Sequence, residues 1–402
     1  MSRDRTIMPS LAALALVLAA CGERKDPPKP GAPKDLRPDG TLVEVDESQR
    51  RRPSSGVPVP PPTSTAPVAP MPAAEAAVRA AGAALYAPVS EYTKEISEMV
   101  DSFPAYVPVK GLPGGTFRMR GSDTMGAYLS NAQARFESIY PNVSMSMRTG
   151  GTERGLASLL EGECEVAAVA GPVSDAQRAA IEKATRKRVF AVPVALDAVC
   201  VYVNADNPLP ALSKAQCNGI FSITHSMSPV PILRWEQLDP KSPLGDAFLP
   251  IYLPGYSSGT FASFAEWCMP GEEVTTILRY FEPSSGSVVN ACCAYPTALG
   301  VAGFGARQAR ARAVAIDPGD GRPAVAPSAV TIRDRSYPLH RALNLVFVAQ
   351  DAASIDPAIV QFVRYLWSED GQDIAAISNI VPPTLDLMPT DIVGTPDGDF
   401  WK

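Results

Sequence analysis

Three short turns in this 402-residue chain combine glycine with hydroxyl side chains, and each comes before a segment with a helical pattern. They are Gly121-Ser122-Asp123-Thr124, Gly150-Gly151-Thr152 and Ser257-Ser258-Gly259-Thr260. A helix start exposes unpaired backbone N–H groups and carries a partial positive charge. Glycine allows a ligand close to the backbone, and Ser and Thr hydroxyls can donate to an oxyanion. Together the turns predict an anion site, although the same residues are also good helix caps for structural reasons.

Strands and helices must alternate to bring these turns together. Period-two and apolar runs predict strands, and amphipathic runs predict helices. The predicted strands are Thr116–Arg120, Val143–Arg148, Glu165–Ala170 and one or two within Val189–Val203. The predicted helices are Met125–Ile139, a run from the second turn to Leu160, and Asp175–Lys187. This alternation predicts an α/β architecture with a mainly parallel sheet.

The order of short segments along the chain resembles the phosphate-binding protein family of bacterial ABC importers. The matching segments are GSDTM at 121–125, GGT at 150–152, LDAVCVYVNADNP at 196–208, LSKAQCNGIF at 212–221, Trp235, SGTFASF at 258–264, YPLHR at 337–341 and SEDGQDIAAISNIVPP at 368–383. The resemblance implies the two-lobed periplasmic-binding-protein fold of type II, in which each lobe is a mainly parallel sheet flanked by helices and crossing strands join the two. It implies lobe one at about 113–198 plus 337–388 and lobe two at about 199–336.

The resemblance also implies a ligand, a partner and a set of ligand-binding residues. The implied residues are Ser122, Asp123, Thr124, Gly151, Thr152, Ser258, Gly259 and Thr260. The ligand would be phosphate or a similar oxyanion, and the partner an ABC permease in the inner membrane. Arg154 could add a guanidinium, or it could be a solvated helix charge paired with Glu153 or Glu161.

Two positions depart from the family pattern. Ala170-Gly171-Pro172 stands where the family has a Ser with an Arg or Asp, and Pro254 stands where it has an Arg. Charge-assisted hydrogen bonds contribute about 1.5–3 kcal/mol each. Their loss would weaken binding or change the ligand, so a ligand-free scaffold or sensor with the same fold stays open as an alternative.

A serine hydrolase is the rival interpretation. Gly255-Tyr256-Ser257-Ser258-Gly259 matches the G-x-S-x-G nucleophile pattern, and His340 is the one histidine that follows it. The continuation into SGTF and the YPLHR context of His340 match the binding family better. We therefore predict a binding protein without catalytic residues, cofactor or metal.

The N-terminus predicts an exported lipoprotein. Basic residues precede an apolar run, SLAALALVLAA at 10–20, which is shorter than the ~20 residues that span a bilayer. The run ends in Leu18-Ala19-Ala20-Cys21-Gly22, which resembles a bacterial lipobox with Cys21 as the lipidated residue. We predict a signal peptide at 1–20, the anchor and a proline-rich linker at 21–72, a helical lead-in at 73–112, and the substrate-binding domain at 113–402. The protein would be tethered to a bacterial membrane, in the periplasm or at the cell surface.

Composition excludes several other classes. The net charge is −6, which argues against a nucleic-acid surface, and 2 histidines argue against a site built on several of them. With Cys21 set aside as the lipidated residue, six cysteines remain. An even number of cysteines in an exported chain predicts disulfides, here up to three. The six are Cys164, Cys200, Cys217, Cys268, Cys292 and Cys293. The alternative is that they pack as small apolar groups.

Overall fold

The computed structural model describes residues 95–96 and 98–394. The predicted signal peptide, Cys21, the linker and most of the helical lead-in lie outside this part of the chain. The strands are β1 Gly115–Gly121, β2 Val143–Thr149, β3 Val166–Ala170, β4 Arg188–Asn204, β5 Ala211–Ser213, β6 Ile251–Pro254, β7 Arg279–Glu282, β8 Leu299–Gly303, β9 Ala311–Ala313, β10 Ala315–Asp317 and β11 His340–Ala349. The helices are α1 Gly126–Ile139, α2 Thr152–Leu160, α3 Asp175–Thr185, α4 Lys214–Phe221, α5 Gly259–Cys268, α6 Ser285–Ala294, α7 Ala329–Arg333, α8 Pro357–Leu366, α9 Glu369–Ile377 and α10 Thr390–Val393.

Strand β4 connects two groups of strands, because its two parts pair with different partners. The strands follow the order β2-β1-β3-β11-β4-β8-β6-β7, with β9 also paired to β4. Up to Ala198, β4 pairs with β11, and from Val199 onward it pairs with β8 and β9. We call β2, β1, β3, β11 and β4 up to Ala198 the first sheet. The second sheet comprises β4 from Val199 onward together with β8, β6, β7 and β9.

Parallel pairs lie toward one end of each sheet, and the pairs that involve β4, β9 and β11 are antiparallel. β1 runs parallel to β2 and β3, and β6 runs parallel to β7 and β8. β11 runs antiparallel to both β3 and β4. Parallel strands end at the same edge of a sheet, and ligands of open α/β folds bind outside that edge. The strands that precede the three turns are β1, β2 and β6, and each ends at such an edge.

Each sheet has its own hydrophobic core. α1 and α8 cover the first sheet, where Phe136 and Phe362 pack ring to ring at 5.3 Å. The second sheet packs against α4 and α5, where Phe221 and Phe264 meet at 4.7 Å. Residues at the end of the predicted lead-in pack into both cores. Val100 belongs to the core of the second sheet, and Leu112 belongs to the core of the first sheet. No helix within the described residues is long and apolar enough to cross a membrane.

The cysteines correct the expectation of disulfides. All six described cysteines are free thiols, and all except the half-buried Cys293 are buried. Cys164 packs in a small cluster under α2, whereas Cys200, Cys217, Cys268 and Cys292 belong to the second-sheet core. Cys164 therefore lies in a different cluster from the four thiols of the second-sheet core. The buried cysteine side chains pack as small apolar groups. Burial raises the pKa of Cys164 to about 11 and that of Cys292 to about 12.

One helix boundary also differs from the prediction. The third helix was expected to reach Lys187, but it ends at Thr185. Arg186 has a φ of 55° and adopts the left-handed conformation that closes many helices. Periodicity alone does not reveal this change of backbone direction.

Candidate functional site

The first turn is shaped by a glycine at the end of β1. Gly121 has a φ of 144°, and a Cβ built there would lie 2.1 Å from the carbonyl oxygen of Ala168. The next residue, Ser122, is buried, and its N–H donates to that same carbonyl at 2.8 Å. Thr124 is half-buried within the short 3₁₀ turn that leads into α1. The backbone of the first turn is thus held tightly against β3.

The second turn is tied to the first by backbone hydrogen bonds. The N–H groups of Gly150 and Gly151 both donate to the carbonyl of Gly121, at 3.0 and 3.1 Å. Thr152 begins α2 and is buried, and its hydroxyl oxygen accepts a hydrogen bond from the N–H of Ala170 at 3.1 Å. Because that oxygen accepts, the hydroxyl hydrogen of Thr152 is left to donate elsewhere.

The third turn belongs to the second sheet. It follows β6 and begins α5, with Ser258 as the N-cap whose hydroxyl accepts from the N–H of Thr260 at 3.2 Å. Thr260 is buried with 2% of its surface exposed. Ser258 and Gly259 remain half-buried at the helix start. The local conformation is the one that a Ser-Gly-Thr sequence at a helix N-terminus favours.

The turns of the two sheets are in direct contact. A Cβ built on Gly151 would lie 2.4 Å from the carbonyl oxygen of Ser257. A Cβ built on Gly259 would lie 2.6 Å from the hydroxyl oxygen of Thr152 and 3.0 Å from the carbonyl oxygen of Ala170. Only glycine permits such approaches without displacement of the backbone. The structure therefore places turns two and three against each other.

A buried ion pair lies beside these turns, where β4 passes from one sheet to the other. Arg341 of β11 is the register partner of Asp197 of β4. Its Nη2 and Nε contact Oδ2 of Asp197 at 2.6 and 3.0 Å, and the two side chains are 3% and 2% exposed. Nη2 also donates to the hydroxyls of Thr260 at 2.9 Å and Thr124 at 3.4 Å. One guanidinium thus connects the first turn with the third.

Asp197 and Arg341 were not among the predicted site residues. Both lie in segments that resemble the phosphate-binding family, 196–208 and 337–341. A usable signal was present, because Asp197 is the one charged residue in the apolar run Val189–Val203. A charge inside a buried strand is expected to have a partner of opposite charge. What the sequence lacks is the strand register that identifies Arg341 as this partner.

Two of the named residues lie at the surface and outside this contact network. Asp123 and Arg154 are both exposed. The neighbouring Glu153 is held by Gln177 of α3, whose Nε2 donates to its two carboxylate oxygens at 3.0 and 3.2 Å. That contact fixes the carboxylate of Glu153 on the α3 side of α2.

The two positions that depart from the family pattern, Ala170-Gly171-Pro172 and Pro254, contribute no charged side chain. Ala170 ends β3 and Gly171 follows it, and Asn344 donates to the carbonyl of Gly171 at 2.9 Å. A Cβ on Gly171 would lie 3.2 Å from the hydroxyl oxygen of Ser263 in α5. Pro254 is the buried last residue of β6. Both departures therefore shape the backbone beside the turns.

The residues of the hydrolase interpretation do not form a catalytic arrangement. Ser257 is exposed and does not have a positive φ, unlike the strained nucleophile elbow of α/β-hydrolases. Nδ1 of His340 lies 2.8 Å from the carbonyl oxygen of Tyr337. The structure shows no hydrogen bond between Ser257 and His340, both of which it describes. This geometry gives the hydrolase interpretation no support.

Two α/β sheets that share a long strand, with glycine-hydroxyl turns facing each other, define a two-lobed periplasmic-binding-protein fold. The sequence profile of the PBP superfamily domain matches residues 108–370, so the chain belongs to that superfamily. Its fold is the type II periplasmic-binding-protein fold, as our sequence analysis predicted. An ABC-type phosphate transport receptor from Vibrio cholerae shares this fold with a TM-score of 0.54 and 17% identity, over 66% of this chain and 100% of that chain.

Curated relatives extend the similarity at the sequence level. The chain is 27% identical to the phosphate-binding protein PstS of Pseudomonas aeruginosa over 285 residues, which cover 70% of this chain and 87% of that protein. It is 27% identical to the protein SphX of Synechocystis sp. over 253 residues, which cover 61% of this chain and 72% of that protein. The PstS relative is named as a binding protein.

Proposed function

We propose that this chain is an extracytoplasmic solute-binding lipoprotein that captures phosphate or a related oxyanion for an ABC-type importer. In this role it makes and breaks no covalent bond. The relatives support the importer partnership, since the Vibrio cholerae structure carries the name of a phosphate transport receptor. An ABC permease in the inner membrane is therefore the proposed protein partner.

The observation that carries this proposal is the contact between turns from both sheets. Thr152 lies against Gly259, and Thr124 and Thr260 share the guanidinium of Arg341. Backbone N–H groups at helix starts and hydroxyls next to them form a preorganised set of donors. A small anion between them would exchange water for several hydrogen bonds of about 0.5–1.5 kcal/mol each. Such a set can hold an anion although the chain carries a net charge of −6.

The proposed lobes follow from the same arrangement. Lobe one would comprise about 113–198 plus 337–388, and lobe two about 199–336. The change of pairing partner of β4 between Ala198 and Val199 supports a boundary there. The ligand-binding set stays Ser122, Asp123, Thr124, Gly151, Thr152, Ser258, Gly259 and Thr260, drawn from both lobes.

Equilibrium dialysis of the full-length chain with labelled phosphate tests the proposal. We expect micromolar or tighter binding. Thr152→Val and Thr260→Val each remove one neutral donor, so each should weaken binding by about 2- to 10-fold. Thr185→Val is the matched control, because that hydroxyl donates to the carbonyl of Ile181, outside the three turns. No binding at millimolar phosphate would contradict capture and favour the ligand-free scaffold.

We also propose that Cys21 carries the lipid anchor and that residues 22–72 tether the domain to the membrane. Buried methylenes contribute about 0.8 kcal/mol each, so several acyl chains give stable attachment. Metabolic labelling with a fatty acid should mark the wild-type chain, and Cys21→Ser should lose both the label and the membrane association. Membrane retention of the unlabelled Cys21→Ser chain would contradict this anchor.

A further inference from the structure

We propose that Arg341 is a ligand-binding residue that donates directly to the bound oxyanion, and that Asp197 is the residue that positions it. The inference rests on the proposed capture of an oxyanion. It assigns the charged donor that Ala170, Gly171 and Pro254 do not supply.

The orientation of the guanidinium follows from its planar geometry. Nε and Nη2 form one edge of the fork, and this edge holds Oδ2 of Asp197. The end of the fork consists of Nη1 and the second N–H of Nη2. Because Nη2 donates to the hydroxyls of Thr260 and Thr124, this end points toward the turns. Asp197 thus fixes the direction in which Arg341 presents its remaining donors.

The remaining donor of the guanidinium, Nη1, has no protein partner in the described part of the chain. It is buried and makes no hydrogen bond within the described residues. A buried donor of a charged group without a partner is unfavourable, and native structures rarely retain one without a reason. A tetrahedral oxyanion beside Thr124 and Thr260 would accept from Nη1 and satisfy it. The two N–H groups of Nη1 are free to donate to oxygens of such an anion.

The position of the ion pair also connects binding with the approach of the lobes. Arg341 lies where β4 leaves the first sheet, and it contacts Thr124 of one lobe and Thr260 of the other. An anion held by its fork would therefore touch groups of both lobes at once.

The charge of Asp197 gives the inference a distinctive consequence. In the wild type this carboxylate neutralises Arg341, so the pair as a whole has no net charge. Asp197→Asn keeps a hydrogen-bond acceptor but leaves the guanidinium uncompensated. The folded protein should become less stable, since a buried charge loses its partner. Phosphate should nevertheless bind at least as tightly, because the anion then meets a net positive site.

Calorimetric titration of the full-length chain with inorganic phosphate, together with thermal unfolding, tests the assignment. Arg341→Gln should weaken phosphate binding by at least about tenfold, because a charged donor is replaced by a neutral one. Asp197→Asn should lower the melting temperature with unchanged or tighter binding. If the ion pair had only a structural role, both variants would lose stability and phosphate affinity together.

The controls keep the outcome decisive. Arg312→Gln is the matched arginine control, because Arg312 is half-buried and donates to backbone carbonyls of Asn207 and Leu209 outside the turns. It should lower stability without a change in phosphate affinity. If Arg341→Gln does not fold, the double variant Asp197→Asn with Arg341→Gln removes both charges and should still bind at least about tenfold more weakly.

The inference fails if folded Arg341→Gln, or the double variant, binds phosphate within twofold of the wild type. It also fails if Asp197→Asn and Arg341→Gln weaken binding equally. A wild type without phosphate binding overturns the proposed function and this inference with it. The first two outcomes, in contrast, leave the proposed function intact.

Discussion

Hydroxyl groups in the site are arranged so that their hydrogens stay available. The oxygen of Thr152 accepts from the N–H of Ala170, and the oxygen of Thr260 accepts from Arg341. An accepting hydroxyl is oriented by its donor and directs its own hydrogen elsewhere. Both threonines are buried. Preorganised donors of this kind need little rearrangement when a ligand arrives.

Gly151→Ala should weaken phosphate binding by about tenfold. The new Cβ would meet the carbonyl oxygen of Ser257 at 2.4 Å, and the φ of 95° and ψ of 155° disfavour a side chain by about 1–3 kcal/mol. Titration calorimetry checks this. The matched control is Gly162→Ala, where φ is 73° but a Cβ would meet no atom within 4 Å. That control should lose stability and keep its affinity; equal affinities for both variants would contradict the contact between the turns.

At the scale of single residues, the sequence predicts the turns better than the ion pair. Glycine beside Ser and Thr has a local meaning, and the structure brings Thr124, Thr152 and Thr260 to one region. Arg341 and Asp197 are 144 residues apart, and only the register of β11 on β4 makes them partners. Register depends on the whole sheet, so spacing along the chain does not reveal it.

Among the elements, β4 matters most because it belongs to both sheets. The apolar run Val189–Val203 predicted one or two strands, and the structure has a single strand of 17 residues. The strands and helices between residues 115 and 204 lie within two residues of their predicted bounds, because their periodicity is strong. The change of partner along β4 is a tertiary feature, and no local pattern encodes it.

Buried thiols make the stability of these elements sensitive to alkaline pH. Burial raises the pKa of Cys164 to about 11 and that of Cys292 to about 12, from an ordinary value of 9.0. Below pH 9 both folded and unfolded chains keep these protons, so their contribution to stability is complete. Above pH 9 the unfolded chain loses them first, so the free energy of unfolding should fall as pH rises toward 11.

Urea unfolding at pH 8, 9 and 10 measures this slope. The double variant Cys164→Ala with Cys292→Ala should show a shallower decline than the wild type, although it is less stable at pH 8. Thiol titration of the denatured chain without reductant is the companion measurement. It should find free thiols at all six positions from Cys164 to Cys293, and a smaller number would contradict the structure.

For the whole molecule, contact between turns of the two lobes describes a closed arrangement. Two-lobed binders close around ligands through a few hinge residues, and β4 near Val199 is where such a hinge would lie. A Cβ built on Gly151 would lie 2.4 Å from the carbonyl oxygen of Ser257, so these two backbones are in close contact. An anion held between the lobes would therefore stabilise this arrangement over an open one.

Small-angle X-ray scattering tests this movement. Phosphate should reduce the radius of gyration of the wild-type chain, because it shifts the population toward the closed arrangement. Gly151→Ala should stay more open at the same phosphate concentration, since its side chain separates the lobes. Identical scattering curves for the wild type with and without phosphate would count against closure by the ligand.

A crystal structure grown in phosphate would show whether turns from both lobes jointly bind one oxyanion. We expect tetrahedral density within hydrogen-bond distance of Thr124, Thr152 and Thr260, with Nη1 of Arg341 on one of its oxygens. Well-ordered turns with no density between them, or phosphate bound only elsewhere on the surface, would contradict it.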